Sequence, residues 1–279
     1  ELRCFAELVQ APVLTTLKGK GAFPEDHPLS IGVRGEPALA FLRDSDLIMG
    51  IGTSLAQGHF RHAIPDARDK TIVHCTADPE DVNRNYCVAA AVIGDARLAL
   101  QALTAELVKR KGAVATPNLT LQAEIRTARE AMMARYRPLM DSSETPINPY
   151  RVYGDMARVL DPTRSFVTHD SGATRDQLST VYDTIVPHTF MGWGNVTTLG
   201  FGLAAAMAAK LAHPDWQCVN VTGDAGVGYM LGNLEALVRY GIPYHVHAGI
   251  GFYERQEVYD LYNILRFLEN ERDDVALYG

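Results

Sequence analysis

The sequence predicts an α/β protein built as two parallel-sheet domains with flanking helices, and three observations predict it. Short apolar runs of strand length recur along the chain, helical stretches lie between or after them, and a glycine-rich turn joins one such strand to its helix. Strand and helix alternating in this way form a parallel sheet closed by crossover helices. The length of 279 residues suits about two domains of ~150 residues, and 47% hydrophobic residues fill sizeable cores.

Residues 11–16 (APVLTT), 46–52 (DLIMGIG) and 71–77 (TIVHCTA) read as short buried strands of a first domain over residues 1–112. From 113 to 145 the text turns polar and helical, through LQAEIRTAREAMMARYRPLM to the loop DSSETPINP, and reads as a linker. Residues 146–279 form the second domain. Its strands are SFVTHD (165–170), CVNVTGD (218–224) and YHVHAGI (244–250); its helices are LGFGLAAAMAAKLA (199–212) and YMLGNLEALVRY (229–240).

Charge and composition exclude several function classes. With 26 basic against 33 acidic residues, net charge −7, and no dense Lys/Arg cluster, the chain offers nothing to follow a nucleic-acid backbone or an anionic membrane. The longest apolar stretch, FGLAAAMAAKLA, is too short and alanine-rich to span a bilayer, and a charged-then-apolar signal peptide is not expected from the opening residues. Cys4, Cys75, Cys87 and Cys218 form neither a C-x-x-C pair nor a disulfide framework, which suits a reducing cytoplasm. No G-x-S-x-G elbow is present, and the histidines of HFRH (His59, His62) and HVH (His245, His247) lack the further ligands a zinc site requires. The segment GIGTSL after residues 47–49 begins like a dinucleotide fingerprint but lacks the third glycine.

The stretch CVNVTGDAGVGYMLGNLEALVRYGIP carries the chemistry. Ligands of open parallel sheets gather at the carboxyl ends of the strands, and the turn from Gly223 to Gly226 sits at such an end. Glycines let the backbone approach a phosphate, and a lone Asp224 beside a phosphate makes sense where Mg²⁺ neutralises both. The other reading is an ordinary strand-to-helix turn with Asp224 near the helix cap. On this stretch alone both stand.

Several segments in order resolve the choice. GDAGVGYMLGNLEALVRYGIP resembles the cofactor motif of thiamine-diphosphate-dependent enzymes, which opens Gly-Asp-Gly and ends near an Asn-Asn pair. MGWGNVTTLGFGLAAAMAAKLAHPD and INPYRVYGDMARVLDPTRSFVTHDSG are similar to the segments before it in the diphosphate-binding domain. APVLTTLKGKGAFPEDHPLSIG and TADPEDVNRNYCVAAAVIGDARLAL resemble the central, Rossmann-like domain of the acetolactate synthase branch.

The resemblance implies thiamine diphosphate and Mg²⁺ as cofactors, with Asp224 as a metal ligand and Gly223, Ala225 and Gly226 against the diphosphate. Asp170, Ser171, Gly172 and Thr174 would form the other side of that site, with Thr198 beside Leu199, which would stand under the cofactor and hold it bent. The implied reaction is decarboxylation of a 2-oxo acid, or carboligation of the resulting fragment, in a homodimer or homotetramer paired through the apolar helix at 199–212. In the family the central domain holds FAD or an adenine nucleotide in some members and nothing in others; an empty, structural domain is favoured here. Two alternatives remain: a catalytically silent structural or regulatory relative, and a nucleotide-binding Rossmann-type oxidoreductase using GIGTSL.

The sequence departs from the family pattern in four places. Ala225 replaces the second glycine of the motif, and the asparagine pair falls on Ile250 and Gly251, whose side chains bind no metal. The family's N-terminal domain carries the catalytic glutamate, whereas this sequence is expected to begin inside the central domain, past its first strand, so no catalytic residue is named. The tail is expected to miss the family's closing strands, with a closed-up discontinuity between Val246 and Leu261.

Overall fold

The computed structural model describes residues 1–57, 63–112, 116–192 and 198–242. Glu1–Asn233 form one compact unit, and Leu234–Gly279 form a second. The expected strand at 244–250, the tail from Val246 to Leu261 and the histidines of HFRH and HVH all lie outside the described residues.

The larger unit opens with α1 (Leu2–Val9), whose Leu2, Phe5 and Ala6 recur at helical spacing on one face. Ala6 packs with Phe23, Leu29, Ile31 and Ile125 in one of two apolar cores. β1 (Val13–Leu14) then pairs in parallel with β2 (Ser30–Gly32). The strand expected over residues 11–16 shrinks to two residues because the register shifts after Val13 and Thr16 becomes a cap, its hydroxyl accepting from Gly19 N–H at 3.1 Å. After α2 (Glu36–Asp44), β3 (Leu47–Ile51), β4 (Thr71–Thr76) and β5 (Ala90–Ile93) form a parallel sheet in the order β3-β4-β5. Asp95 caps α3 (Ala96–Lys111), accepting from Arg97 and Leu98 N–H at 3.0 Å each.

α4 (Leu119–Met140) spans about 33 Å at 1.5 Å per residue. It reaches both cores: Ile125 belongs to the first, while Met133, Tyr136 and Met140 pack against the second. That second core holds Tyr153, Val167, Leu178, Val181, Tyr182 and Phe190. α5 (Pro149–Val159) starts at Asn148, whose side chain accepts from Tyr150 N–H at 3.0 Å.

The second parallel sheet is ordered β7-β6-β8, from β6 (Ser165–His169), β7 (Phe190–Gly192) and β8 (Gln217–Val221). Its central strand β6 is buried at all five positions, which explains the unbroken SFVTH text. α6 (Ala173–Val181) follows β6, α7 (Phe201–Ala212) lies between β7 and β8, and α8 (Asp224–Met230) follows β8. The helix expected over residues 229–240 is broken: α8 starts earlier, at Asp224, and gives way to a 3₁₀ turn over Leu231–Leu234, where Gly232 and Asn233 are weak helix formers. In the smaller unit, α9 (Glu235–Arg239) ends as Ile242 N–H reaches back to the Leu237 carbonyl at 2.8 Å.

The α/β class with parallel sheets and flanking helices is thus observed, with β2, β5 and β7 as strands that the pattern did not announce. All four cysteines are free. Among the described residues no helix is long and apolar enough to cross a membrane.

Candidate cofactor site

β6 and β8 run parallel in register, with His169 opposite Val221, so the chain leaves both strands side by side at the carboxyl edge. Asp170 follows β6 and donates its N–H to the Val221 carbonyl at 3.1 Å. Its side chain is fully buried. One carboxylate oxygen accepts from Gly202 N–H at 2.9 Å, in the first turn of α7, and the other accepts from the Thr222 hydroxyl at 2.5 Å, just past β8. One carboxylate therefore ties the ends of two strands to the start of a helix.

Two glycines make this possible by close approach. A Cβ at Gly226 would stand 2.4 Å from Asp170 Oδ2 and 2.0 Å from Thr222 Oγ1; one at Gly202 would stand 2.1 Å from Asn220 Oδ1 and 3.3 Å from Asp170 Oδ1. No side chain fits at either position. The first turns of α7 and α8 are drawn onto Asp170 because nothing lies between.

The remaining candidate residues gather at the same edge. Gly172 precedes α6 with φ +97°, a conformation open to glycine, and nothing lies within 4 Å of where its Cβ would be. Ser171 is half-buried, and the Thr174 hydroxyl donates to the Asp170 carbonyl at 3.1 Å. Gly223 is the N-cap of α8, again with clear space above it, and Val227 N–H reaches its carbonyl at 3.1 Å. Asp224 begins α8, exposed, and its carboxylate has no hydrogen-bond or ion-pair partner among the described residues. Ala225 is exposed and Gly226 buried. Thr198 is exposed and Leu199 half-buried; the adjoining Gly200 lies against Met230, where a Cβ would come within 2.3 Å of Cγ. The structure thus brings the 170–174, 198–202 and 222–226 segments together.

His169 sits directly behind. Its Nδ1 lies 2.9 Å from the Asp170 carbonyl, which only accepts, so Nδ1 carries the proton and Nε2 is left buried and without a hydrogen-bond partner among the described residues. Burial pushes the His169 imidazole below its ordinary range. The ring is a neutral donor holding the Asp170 turn.

The residues could hold a diphosphate: the turns at Gly172 and Gly223 are clear of side chains, and Asp224 offers a free oxygen ligand of the kind Mg²⁺ takes. Among the described residues no three His, Cys, Asp or Glu side chains cluster as a metal site, so Asp224 stands alone. A groove of about 710 Å³ along α4 and a recess of about 570 Å³ near Asp66 and Asn85 lie away from this edge and gather none of these groups. At the other sheet, Leu55 occupies the space over Gly50 of GIGTSL, with its Cδ2 2.8 Å from a would-be Cβ. Thr222, Asn220 and Gly202 were not singled out by sequence reasoning; the only signal was the position of Thr222 directly before the glycine-rich turn.

Comparison with known proteins accounts for the arrangement. Residues 1–103 match the family described as thiamine pyrophosphate enzyme, central domain, and residues 170–247 match its C-terminal TPP binding domain. The chain belongs to the thiamine pyrophosphate enzymes. It is 31% identical to the probable acetolactate synthase large subunit of Methanocaldococcus jannaschii, covering 87% of this chain and 42% of that protein. It is 32% identical to the acetolactate synthase large subunit of Parasynechococcus marenigrum, over 88% of this chain and 39% of that one. A putative thiamine pyrophosphate-containing protein of Bacillus subtilis is 28% identical over 87% of this chain. The chain spans about two fifths of the length of these relatives.

Proposed function

We propose that the carboxyl edge of β6 and β8 holds thiamine diphosphate with Mg²⁺, in an acetolactate synthase-like decarboxylation of a 2-oxo acid, carboligation of its product, or both. The observation that carries this reading is the convergence of two open turns and an unpaired Asp224 at one sheet edge, in a chain of this family. Asp224 ligates the metal. Gly172 and Gly223 leave room for the diphosphate, the backbone of Ala225 and Gly226 faces it, and Ser171, Thr174, Thr198 and Leu199 complete the surround. Asp170 keeps the two turns at a fixed separation, since its carboxylate is spent on Gly202 and Thr222. When bound, the cofactor supplies a carbanion and an electron sink for the departing carboxylate.

The domain division proposed is residues 1–112, 113–145 and 146–279, in a cytoplasmic homo-oligomer. Exposed Leu211 on α7 and Val227 and Tyr229 on α8 support pairing through this region, and light scattering at micromolar concentration tests it. Titration calorimetry tests the site itself. Thiamine diphosphate should bind only with Mg²⁺, and Asp224→Ala should abolish that Mg²⁺-dependent binding while leaving unfolding by urea within about 0.5 kcal/mol of wild type. Unchanged affinity in the variant would remove Asp224 from the metal.

One observation favours a second reading. Ile250 and Gly251 stand where the resemblance places side-chain metal ligands, which suits a relative that keeps the fold without the chemistry. Binding of thiamine diphosphate without Mg²⁺ dependence and without release of carbon dioxide from pyruvate would support it.

A further inference from the structure

Lys20 and Glu25, neither of them among the residues of that sheet edge, form a buried ion pair, their side chains 1% and 2% exposed. The pair does not close on itself. Lys20 Nζ also donates to the Ser179 carbonyl in the last turn of α6 at 3.4 Å, and it lies 5.3 Å from the centre of the Phe190 ring on β7. Glu25 accepts from Thr184 N–H at 2.6 Å, and its own N–H donates to the Thr184 carbonyl at 3.1 Å. Gly21, between the two charges, has φ +83°, and a Cβ there would come within 2.8 Å of the Thr184 methyl. The segment from Lys20 to Glu25 is therefore seated on the end of α6 and the loop that leads to β7.

Two further charged contacts grip the same region. Arg129 of α4 donates to the Glu25 carbonyl and makes a two-pronged contact with Asp183, 2.9 Å to each oxygen. Arg34, just before α2, pairs with Asp176 in the first turn of α6. Holding two charges out of water is costly, and apolar residues of the same volume would serve stability as well or better. Burial pushes the Glu25 carboxyl up, with Lys20 working against that. What an ionic pair adds over an apolar one is direction: a cation at the carboxyl end of a helix, matched to the dipole, and a fixed acceptor for one loop N–H.

We propose that the buried Lys20–Glu25 pair is a positioning device for the cofactor site, fixing α6 along its axis and so setting where the Gly172–Thr174 turn stands. α6 is a rod of nine residues, about 13 Å long, with Ser179 held at one end and the open turn at the other. A shift of the held end is passed to the turn, because the helix between is hydrogen-bonded and packed through Leu178 and Val181. The inference rests on the reading of that turn as part of the thiamine diphosphate site.

The test is the double variant Lys20→Met/Glu25→Gln in the full chain, which removes both charges, nearly keeps the volume and leaves an amide oxygen at position 25 to accept from Thr184 N–H. Hydrogen exchange of the Arg175 and Tyr182 amides should quicken about tenfold while amides of α3 are unchanged, and affinity for thiamine diphosphate with Mg²⁺ should fall about tenfold. Unchanged exchange in α6 overturns the proposal, and so does quickened exchange with wild-type affinity. If wild-type protein itself fails to bind thiamine diphosphate, the cofactor reading falls, while the exchange result still decides whether the pair holds α6. Should the double variant not fold, Glu25→Gln alone weakens the pair while keeping an acceptor for Thr184 N–H; it should give the same pattern at about threefold, and unchanged exchange there overturns the proposal equally.

Discussion

The sheets β3-β4-β5 and β7-β6-β8 are both three parallel strands, yet they treat the chain beyond their carboxyl edges differently. Past β3, Leu55 takes a left-handed backbone, φ 48°, at a cost of about 1–2 kcal/mol, and folds its side chain over Gly50. His74 Nε2 fastens that loop by donating to the Thr53 carbonyl at 2.7 Å. Past β6 and β8 the opposite holds: Asp170 and Thr222 bond inward to one another, and Gly172 and Gly223 next to them face clear space. Each edge places its polar groups inward. Bare turn surface alone does not mark the second edge, since Gly94 past β5 also has nothing within 4 Å; two bare turns, at Gly172 and Gly223, stand there beside Asp224, and that convergence separates a site from a connection.

Matched substitutions break or sharpen this comparison. Gly226→Ala forces a Cβ between Asp170 and Thr222, whose positions are fixed by burial and hydrogen bonding, and should destabilise the fold by about 3 kcal/mol. Gly50→Ala meets the far end of Leu55, a side chain free to rotate away, and should cost less than about 1 kcal/mol. Urea unfolding of both measures the gap. Equal costs would mean that the two edges are alike in rigidity and the contrast drawn here is superficial.

Asp170→Ala comes next in size. It leaves Gly202 N–H and the Thr222 hydroxyl without their acceptor in a buried place, a loss of about 2 kcal/mol. Asp170→Asn keeps one acceptor oxygen and should recover about half of that. Urea midpoints in the order wild type, Asn, Ala are expected; an Ala variant as stable as wild type would show that the carboxylate does not hold the strand ends together.

Much of this architecture was legible in the text, and the physical reason differs by element. β4 and β6, central in their sheets and largely buried, announce themselves as near-continuous apolar runs, and β3 and β8 read the same way although each pairs on one side only among the described strands and is mostly half-buried. β2, β5 and β7 do not: at three or four residues each, they are strands only because a neighbour supplies the ladder. The gathering of 170–174, 198–202 and 222–226 followed from parallel pairing and the order of segments. The inward turn of the Asp170 carboxylate did not, since its partners lie 32 and 52 residues further on and only the folded chain brings them within reach. The Lys20–Glu25 pair was hidden for a related reason. Two charges five residues apart in a polar, glycine-rich segment read as a solvated loop until α6 and Thr184 close over them.

The smallest expected effect concerns His169, which has a counterpart in His74 at the centre of the other sheet. Both rings are fully buried, and each bonds a backbone carbonyl through one nitrogen, leaving the other without a partner among the described residues. Burial pushes His169 below its ordinary value of 6.5, so the unfolded chain takes up a proton there at a pH where the folded chain does not. Stability contributed by the neutral ring is complete above that value and is lost as the pH falls below it. The slope is at most about 1.4 kcal/mol per pH unit for one proton, and a total on the order of 1 kcal/mol between about pH 7.5 and pH 5.5 is expected. His169→Asn keeps a donor for the Asp170 carbonyl and cannot titrate. Its urea midpoint should therefore fall less steeply than that of wild type over the same range, although other groups titrate in both. Parallel slopes would mean that the ring is protonated in the folded protein, and that Nε2 finds an acceptor when the Asp170 turn moves.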